Sequence, residues 1–238
     1  SNNIISDIIV FGSYLYVVIS QYDQTYQNYD HPRIYRTSNL SSWTLVQTLN
    51  LDAGTTRYAE LIGKFFVYAG TLYCSCYDVN LYYKNTYIYK PLESATAVKT
   101  IYNYSYDCMA QCLNTSYLLA VSEYTKKVYV VKVSDWTVYT SFSLPANINH
   151  DKFNETNLIC LNPSATSYQI FYTPVFRYYQ STKKLAFILQ ITVVSLSSVF
   201  FDWIPVATGA EQADSTTNFY FSGICQPMLG KKDASDVI

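Results

Sequence analysis

Hydrophobic and polar residues alternate in short runs along most of this chain. Phe11-Gly12-Ser13-Tyr14-Leu15-Tyr16-Val17, Thr86-Tyr87-Ile88-Tyr89 and Val128-Tyr129-Val130-Val131 are representative. A period of two places successive side chains on opposite faces of a sheet, so each run predicts a half-buried strand. The runs are rich in aromatic and β-branched residues, which fit a pleated surface. Tyrosine, present 26 times, suits positions with one apolar side and one wet side. The pattern therefore predicts an all-β protein. The 17 uncharged residues from Leu185 to Phe201 read as two buried strands. A membrane span needs about 20 apolar residues, and this run is interrupted by Gln190, Thr192, Ser195, Ser197 and Ser198.

The strands recur as a unit. Cys112-Leu113-Asn114-Thr115-Ser116 is echoed by Cys160-Leu161-Asn162-Pro163-Ser164, 48 positions later. Each echo precedes an alternating strand, Tyr117 to Val121 and Tyr168 to Tyr172. Each then reaches a Thr-Lys-Lys turn, at Thr125 and Thr182, that opens a further strand, Val128 to Val133 and Leu185 to Ile191. Trp136 to Tyr139 and Val199 to Phe201 follow as fourth strands. The first half fits the scheme more loosely. Its strands read Ile8–Phe11, Tyr14–Ser20, Arg33–Thr37 and Trp43–Thr48, then Tyr58–Ile62, Leu72–Tyr77, Thr86–Lys90 and Val98–Tyr102. Aligning Leu15, Leu72, Leu118 and Ile170 gives four units, at about 4–52, 53–103, 104–150 and 151–206. Four strands in roughly fifty residues, repeated, is the signature of propeller blades. The expectation is a single β-propeller domain over 1–238, of four or five blades, with 218–225 as a closing or extra strand. A β-sandwich pair or a β-solenoid is the runner-up.

Thr37-Ser38-Asn39-Leu40-Ser41-Ser42-Trp43 resembles the Ser-x-Asp-Leu-x-x-Trp turn of five-bladed glycosidase and related sugar-processing propellers, with Thr for Ser and Asn for Asp. The resemblance implies a turn between the third and fourth strands of a blade, with Trp43 packed between blades. It spans seven residues and carries no catalytic residue across.

Charge is scarce. Charged residues make up 14% of the chain and the net charge is −1, against roughly 25% charged in an ordinary soluble domain. No basic stripe is present, so nucleic acid is not an expected partner. A polar, aromatic, weakly charged surface is expected to be coated by glycans or covered by neighbouring copies, because sheet edges otherwise use charge to prevent pairing. The chain begins at Ser1, which reads as a processed product or a piece of something larger.

The six cysteines, Cys74, Cys76, Cys108, Cys112, Cys160 and Cys225, are expected to form two or three disulfides in a secreted protein, with pairing open. Cys74 and Cys76 share a strand face and are not expected to pair with each other. Their spacing with Cys108 and Cys112 is not a common zinc knuckle, so no metal is expected there. Four Asn-x-Ser/Thr sequons, at Asn39, Asn103, Asn114 and Asn154, are expected N-glycan acceptors.

The richest polar loop runs from Gln21 to Arg33. Tyr22, Asp23, Tyr26, Tyr29, Asp30, His31 and Arg33 could stack on sugar rings and bond their hydroxyls, and a calcium ion would draw on the same oxygens. Catalysis is not expected. Glycosidases need a pair of facing carboxylates, and none of the five Glu or 12 Asp sits in a recognisable motif. A sialidase-like site would want an arginine cluster, and the chain has only Arg33, Arg36, Arg57 and Arg177. His31 and His150 each adjoin an Asp, which places the side chains on opposite strand faces. The expected function is a non-enzymatic extracellular glycoprotein domain, a structural subunit of a surface coat or filament. Self-association or other surface proteins supply its partners. The alternatives are a carbohydrate-binding adhesion module and a degenerate glycosidase-like propeller. No cofactor is expected beyond N-linked glycans, with calcium the alternative occupant of the Gln21 to Arg33 loop.

Overall fold

The computed structural model describes residues 2–22, 31–50, 61–78, 85–113, 116–122, 124–145, 148–149, 157–179 and 183–205. Every regular element in that set is a strand. The first sheet is β1 (Asn2–Phe11), β2 (Tyr14–Tyr22), β3 (Arg33–Thr37) and β4 (Thr44–Thr48), paired in that order. The second is β5 (Leu61–Tyr68), β6 (Thr71–Asp78), β7 (Thr86–Tyr89) and β8 (Lys99–Ile101). The third is β9 (Cys108–Cys112), β10 (Tyr117–Ser122), β11 (Lys127–Lys132) and β12 (Thr137–Ser143). In the fourth, β13 (Ile148–Asn149) and β14 (Ile159–Cys160) both pair with β15 (Gln169–Tyr179), followed by β16 (Lys183–Ser195) and β17 (Ser198–Pro205). All pairings within the sheets are antiparallel. Each sheet is a meander, and the chain passes from its outermost strand to the innermost strand of the next. This is β-propeller architecture, with four consecutive blades.

Three buried clusters hold the blades face to face. Tyr16, Val18 and Ile34 of the first sheet meet Phe65, Leu72, Cys74, Cys76, Tyr87 and Tyr89 of the second. Phe66, Tyr73 and Ile88, on the other face of the second sheet, meet Met109, Leu118, Ala120, Tyr129 and Val131 of the third. Leu119, Val121, Val128 and Val130 of the third meet Phe171, Leu189, Ile191 and Val193 of the fourth. The alternation that makes a strand thus supplies both faces of a blade, since odd and even positions serve different neighbours. Among the described residues no buried cluster joins the fourth sheet to the first.

Several expectations change. The innermost strand of the second blade, expected over Tyr58–Ile62, runs over Leu61–Tyr68 among the described residues. Residues 51–60 and 206–238, including the expected strand 218–225, lie outside the described residues. The Leu185–Phe201 run does form two strands, β16 and β17, and no helix among the described residues is long and apolar enough to cross a membrane. The Thr37–Trp43 turn does join β3 to β4, yet Trp43 is 44% exposed and packs between no described blades. The tryptophan that does so is Trp136, before β12, which meets the Tyr73 ring of the preceding blade edge-on at 6.3 Å. No disulfide joins Cys74, Cys76, Cys108, Cys112 and Cys160 to one another, so the expected disulfide framework is not formed among them. Cys225 lies outside the described residues. Placement keeps the two closely spaced pairs apart, although Cys112 and Cys160 do share a cluster. Cys74 and Cys76 both face the first sheet, whereas Cys108 and Cys112 face the fourth, on the far side of the third blade.

Candidate functional site

A connected polar grouping among the described residues lies where the innermost strands β1, β5 and β9 run side by side. A register shift in β1 between Ile5 and Asp7 leaves Ser6 as an extra residue. Such bulges re-aim side chains. Here Ser6 becomes a junction. Its hydroxyl shares a hydrogen bond with the Ser20 hydroxyl at 2.8 Å and donates to the Gly63 carbonyl at 2.9 Å. The Gly63 N–H in turn donates to Ser20 Oγ at 3.1 Å. A Cβ at Gly63 would lie 2.6 Å from Val18 Cγ2, so glycine is what lets the two blades approach.

The next residue, Lys64, is 2% exposed. Its ammonium donates to the Ser6 carbonyl at 2.7 Å and to Asn157 Oδ1, on the approach to the fourth blade, at 3.5 Å. Asp7 completes the hub. Its Oδ2 accepts the Phe65 N–H at 2.7 Å and its Oδ1 accepts the Ile8 N–H at 2.9 Å. Burial raises the Asp7 carboxyl above its ordinary range, and Lys64 and the two amides only partly oppose this. One carboxylate and one ammonium thus tie the first, second and fourth blades together.

Asp107, also buried, sits just before β9. The neighbouring Cys108 thiol is pushed up by burial and then by Asp107, and it also feels Lys64 and Asp7. Burial pushes Cys112 up to about 12 and Cys160 up to about 11. Cys112 is opposite Tyr117 in its sheet and Cys160 is opposite Phe171, and both thiols enter the same cluster between the third and fourth blades. Such thiols carry little thiolate at neutral pH and pack as small apolar groups. Among the described residues no group of three His, Cys, Asp or Glu could hold a metal ion.

The hub's chemistry is therefore inward. Each Asp7 oxygen accepts one backbone N–H and the Lys64 ammonium donates to a carbonyl and an amide, so these bonds run within the protein. The sequence signal for it was a lysine within Ile62-Gly63-Lys64-Phe65-Phe66, a charge inside an apolar run of a chain poor in charge.

The predicted loop site is largely out of view. Asp23, Tyr26, Tyr29 and Asp30 lie outside the described residues, as does the side chain of Tyr22. His31 is half-buried and Arg33 is exposed at the start of β3. Of the sequons, Asn114 and Asn154 lie outside the described residues, and Asn39 and Asn103 are exposed. Asn39 Oδ1 accepts from the N–H groups of Ser41 and Ser42, both at 3.1 Å, which holds the turn. Asn103 has φ 66°, and its N–H donates to Asn85 Oδ1.

No protein-family model matches the chain, and no curated protein shows significant similarity to it. Among solved structures it is similar to an exo-beta-1,3-galactanase variant from Phanerochaete chrysosporium bound to beta-1,3-galactotriose. The identity is 12% and the TM-score 0.49, over 87% of this chain and 48% of that one. AztD from Citrobacter koseri follows at 10% identity and TM-score 0.43, over 87% and 50%. Kluyveromyces lactis Hsv2 follows at 10% and 0.38, over 85% and 73%. The chain spans about half the length of the first two. At these identities the likenesses concern fold alone, and the propeller assignment rests on the sheets themselves.

Proposed function

We propose that this chain is a non-enzymatic extracellular glycoprotein domain that assembles, through its end blades, into a surface coat or filament. The observation that carries this reading is the state of the two end faces. On the first sheet, Ile5, Ile8, Val10 and Leu45 stand about half exposed on the face turned away from the second blade, Ile5 at 57% and Ile8 at 55%. On the fourth sheet, Phe200 and Ile204 stand exposed on the face turned away from the third, Phe200 at 59%. Exposed large apolar residues favour an interaction site, and a chain with 14% charged residues has little charge to keep such faces apart. The inward chemistry of the hub supports a non-catalytic role, and the exposed Asn39 and Asn103 leave room for glycans. The test is sedimentation velocity across a hundredfold range of concentration, with intact mass before and after N-glycosidase. The expected outcome is concentration-dependent growth of the sedimenting species and a mass loss on deglycosylation. A constant monomer would rule out assembly, and an unchanged mass would rule out the glycoprotein assignment.

A further inference from the structure

The two cysteines of the internal repeat face each other. Cys112-Leu113-Asn114-Thr115-Ser116 and Cys160-Leu161-Asn162-Pro163-Ser164 begin at the ends of the innermost strands of the third and fourth blades, β9 and β14. Repeat-equivalent residues should face the same way along the row of blades, as Leu72 and Leu118 do, each toward the preceding blade. Cys112 and Cys160 depart from that. Cys112 is paired opposite Tyr117, on the face turned to the fourth blade. Cys160 is paired opposite Phe171, on the face turned to the third. A slip of one residue turns a strand over, and here it sets two equivalent thiols on the two sides of one interface.

Their heights in that interface also agree. Gln169 lies two residues before Phe171, on the same face of β15, and its Oε1 accepts the Leu113 N–H across the interface. Leu113 directly follows Cys112, and Phe171 is the cross-strand partner of Cys160. The two cysteines therefore flank one hydrogen bond between the blades. After its own burial, Cys160 is what the Cys112 thiol feels. Cys108 shares the face of Cys112 but lies four residues away, about 13 Å along the strand, and what it feels is Asp107, Lys64, Asp7 and Thr173. Cys74 and Cys76 belong to the interface between the first and second blades. Cys112 is fully buried. Cys160 is half-buried and precedes the exposed Leu161, so it is the thiol that a dissolved reagent meets first.

We propose that Cys112 and Cys160 are an oxidisable pair, closed to a disulfide by a small disulfide oxidant such as oxidised glutathione, and that the bond staples the third blade to the fourth. The Cys160 thiolate attacks one sulfur of the oxidant, which breaks its S–S bond and releases one glutathione thiolate. The Cys112 thiolate then attacks the Cys160 sulfur, and the second glutathione leaves. Two electrons pass from the protein to the oxidant, and the two protons of the protein thiols end on the two glutathione thiols. The step lies inside the molecule and does not depend on the assembly reading.

The test holds the full chain in reduced and then in oxidised glutathione, alkylates the remaining thiols after denaturation, and maps the peptides by mass spectrometry. In oxidised glutathione the alkylated Cys112 and Cys160 peptides should disappear together and one cross-linked peptide should replace them, released again by dithiothreitol. Cys112→Ala should stop at a glutathione adduct on Cys160. Cys160→Ala should give neither cross-link nor adduct at Cys112. The urea midpoint should rise on oxidation of wild type and stay fixed in both variants, since a cross-link restrains the unfolded chain. If both thiols remain open to alkylation, or if either is joined to Cys225 or to any other cysteine, the proposal fails. That outcome is read on wild type, so it does not depend on the variants folding. It leaves the assembly reading standing, because neither sedimentation nor deglycosylation enters the measurement.

Discussion

Two tyrosines show how much a hydroxyl's surroundings decide. Tyr89 and Tyr106 are both fully buried. The Tyr89 hydroxyl donates to the Asn50 carbonyl at 2.9 Å, tying β7 to the chain that leaves the first blade. The Tyr106 hydroxyl has no hydrogen-bond partner among the described residues. Its ring packs in a three-ring cluster with Tyr104 and Tyr129, with centroids 5.8 and 5.4 Å away, and burial drives its acidity far below that of an ordinary phenol. Ring packing stabilises the fold while the buried hydroxyl opposes it. Tyr106→Phe should therefore leave stability unchanged or raise it by about 1 kcal/mol, whereas Tyr89→Phe should lower it by about 0.5–1.5 kcal/mol. Urea unfolding of the two variants checks this, and a marked loss in Tyr106→Phe would show that its hydroxyl is satisfied after all.

At the scale of the strand, the inner strand of the second blade is the instructive case. Gly63 faces Val18 of the first blade, with no room for a side chain, and Lys64 faces the opposite way into the hub. Gly63→Ala should cost about 1–3 kcal/mol through overpacking. Adding Val18→Ala should return part of that loss, because the clash is with a Val18 methyl. Thermal melts of the single and double variants measure the coupling, and simple additivity would place the strain elsewhere. The strand expected from the sequence stops at Ile62, just before these two residues, while here glycine permits close approach and lysine is buried with its ammonium bonded. The other strands were legible because unbroken alternation has one physical outcome. One position was off by a residue: Leu72 and Leu118 face the preceding blade, but in the fourth unit Phe171 does so, not Ile170. A slip of one turns a strand over, and the fourth blade invites it by splitting its inner strand into β13 and β14. The turn motif placed Trp43 correctly along the chain, but no local pattern reveals whether a blade exists for it to pack against.

For the molecule as a whole, the hub sets how stability should follow pH. The Asp7 carboxyl is raised above its value of 3.8 in an unstructured chain, with burial outweighing Lys64 and the Ile8 and Phe65 amides. Between the unfolded and folded values the native state therefore holds a proton that the unfolded chain has released. Stability must fall as pH rises through that window, by at most about 1.4 kcal/mol for each pH unit. Below the unfolded value both states are protonated and the dependence vanishes. Asp7→Asn removes the titrating group, so the stability of wild type minus that of the variant should be greatest near pH 4 and decline toward pH 7. Lys64→Met should enlarge the total decline and carry it to higher pH, because it removes the cation that opposes the burial of Asp7. Urea titrations of the three proteins at half-unit steps from pH 4 to pH 7 supply the curves. The alternative is a carboxylate held mainly as an ion by Lys64, and it has the opposite sign, with the difference growing as pH rises and Lys64→Met abolishing it. Because Asp7 and Lys64 bridge the first, second and fourth blades, the slope should appear in the global unfolding transition rather than in the loosening of one blade, and coincident tyrosine fluorescence and far-UV transitions distinguish the two.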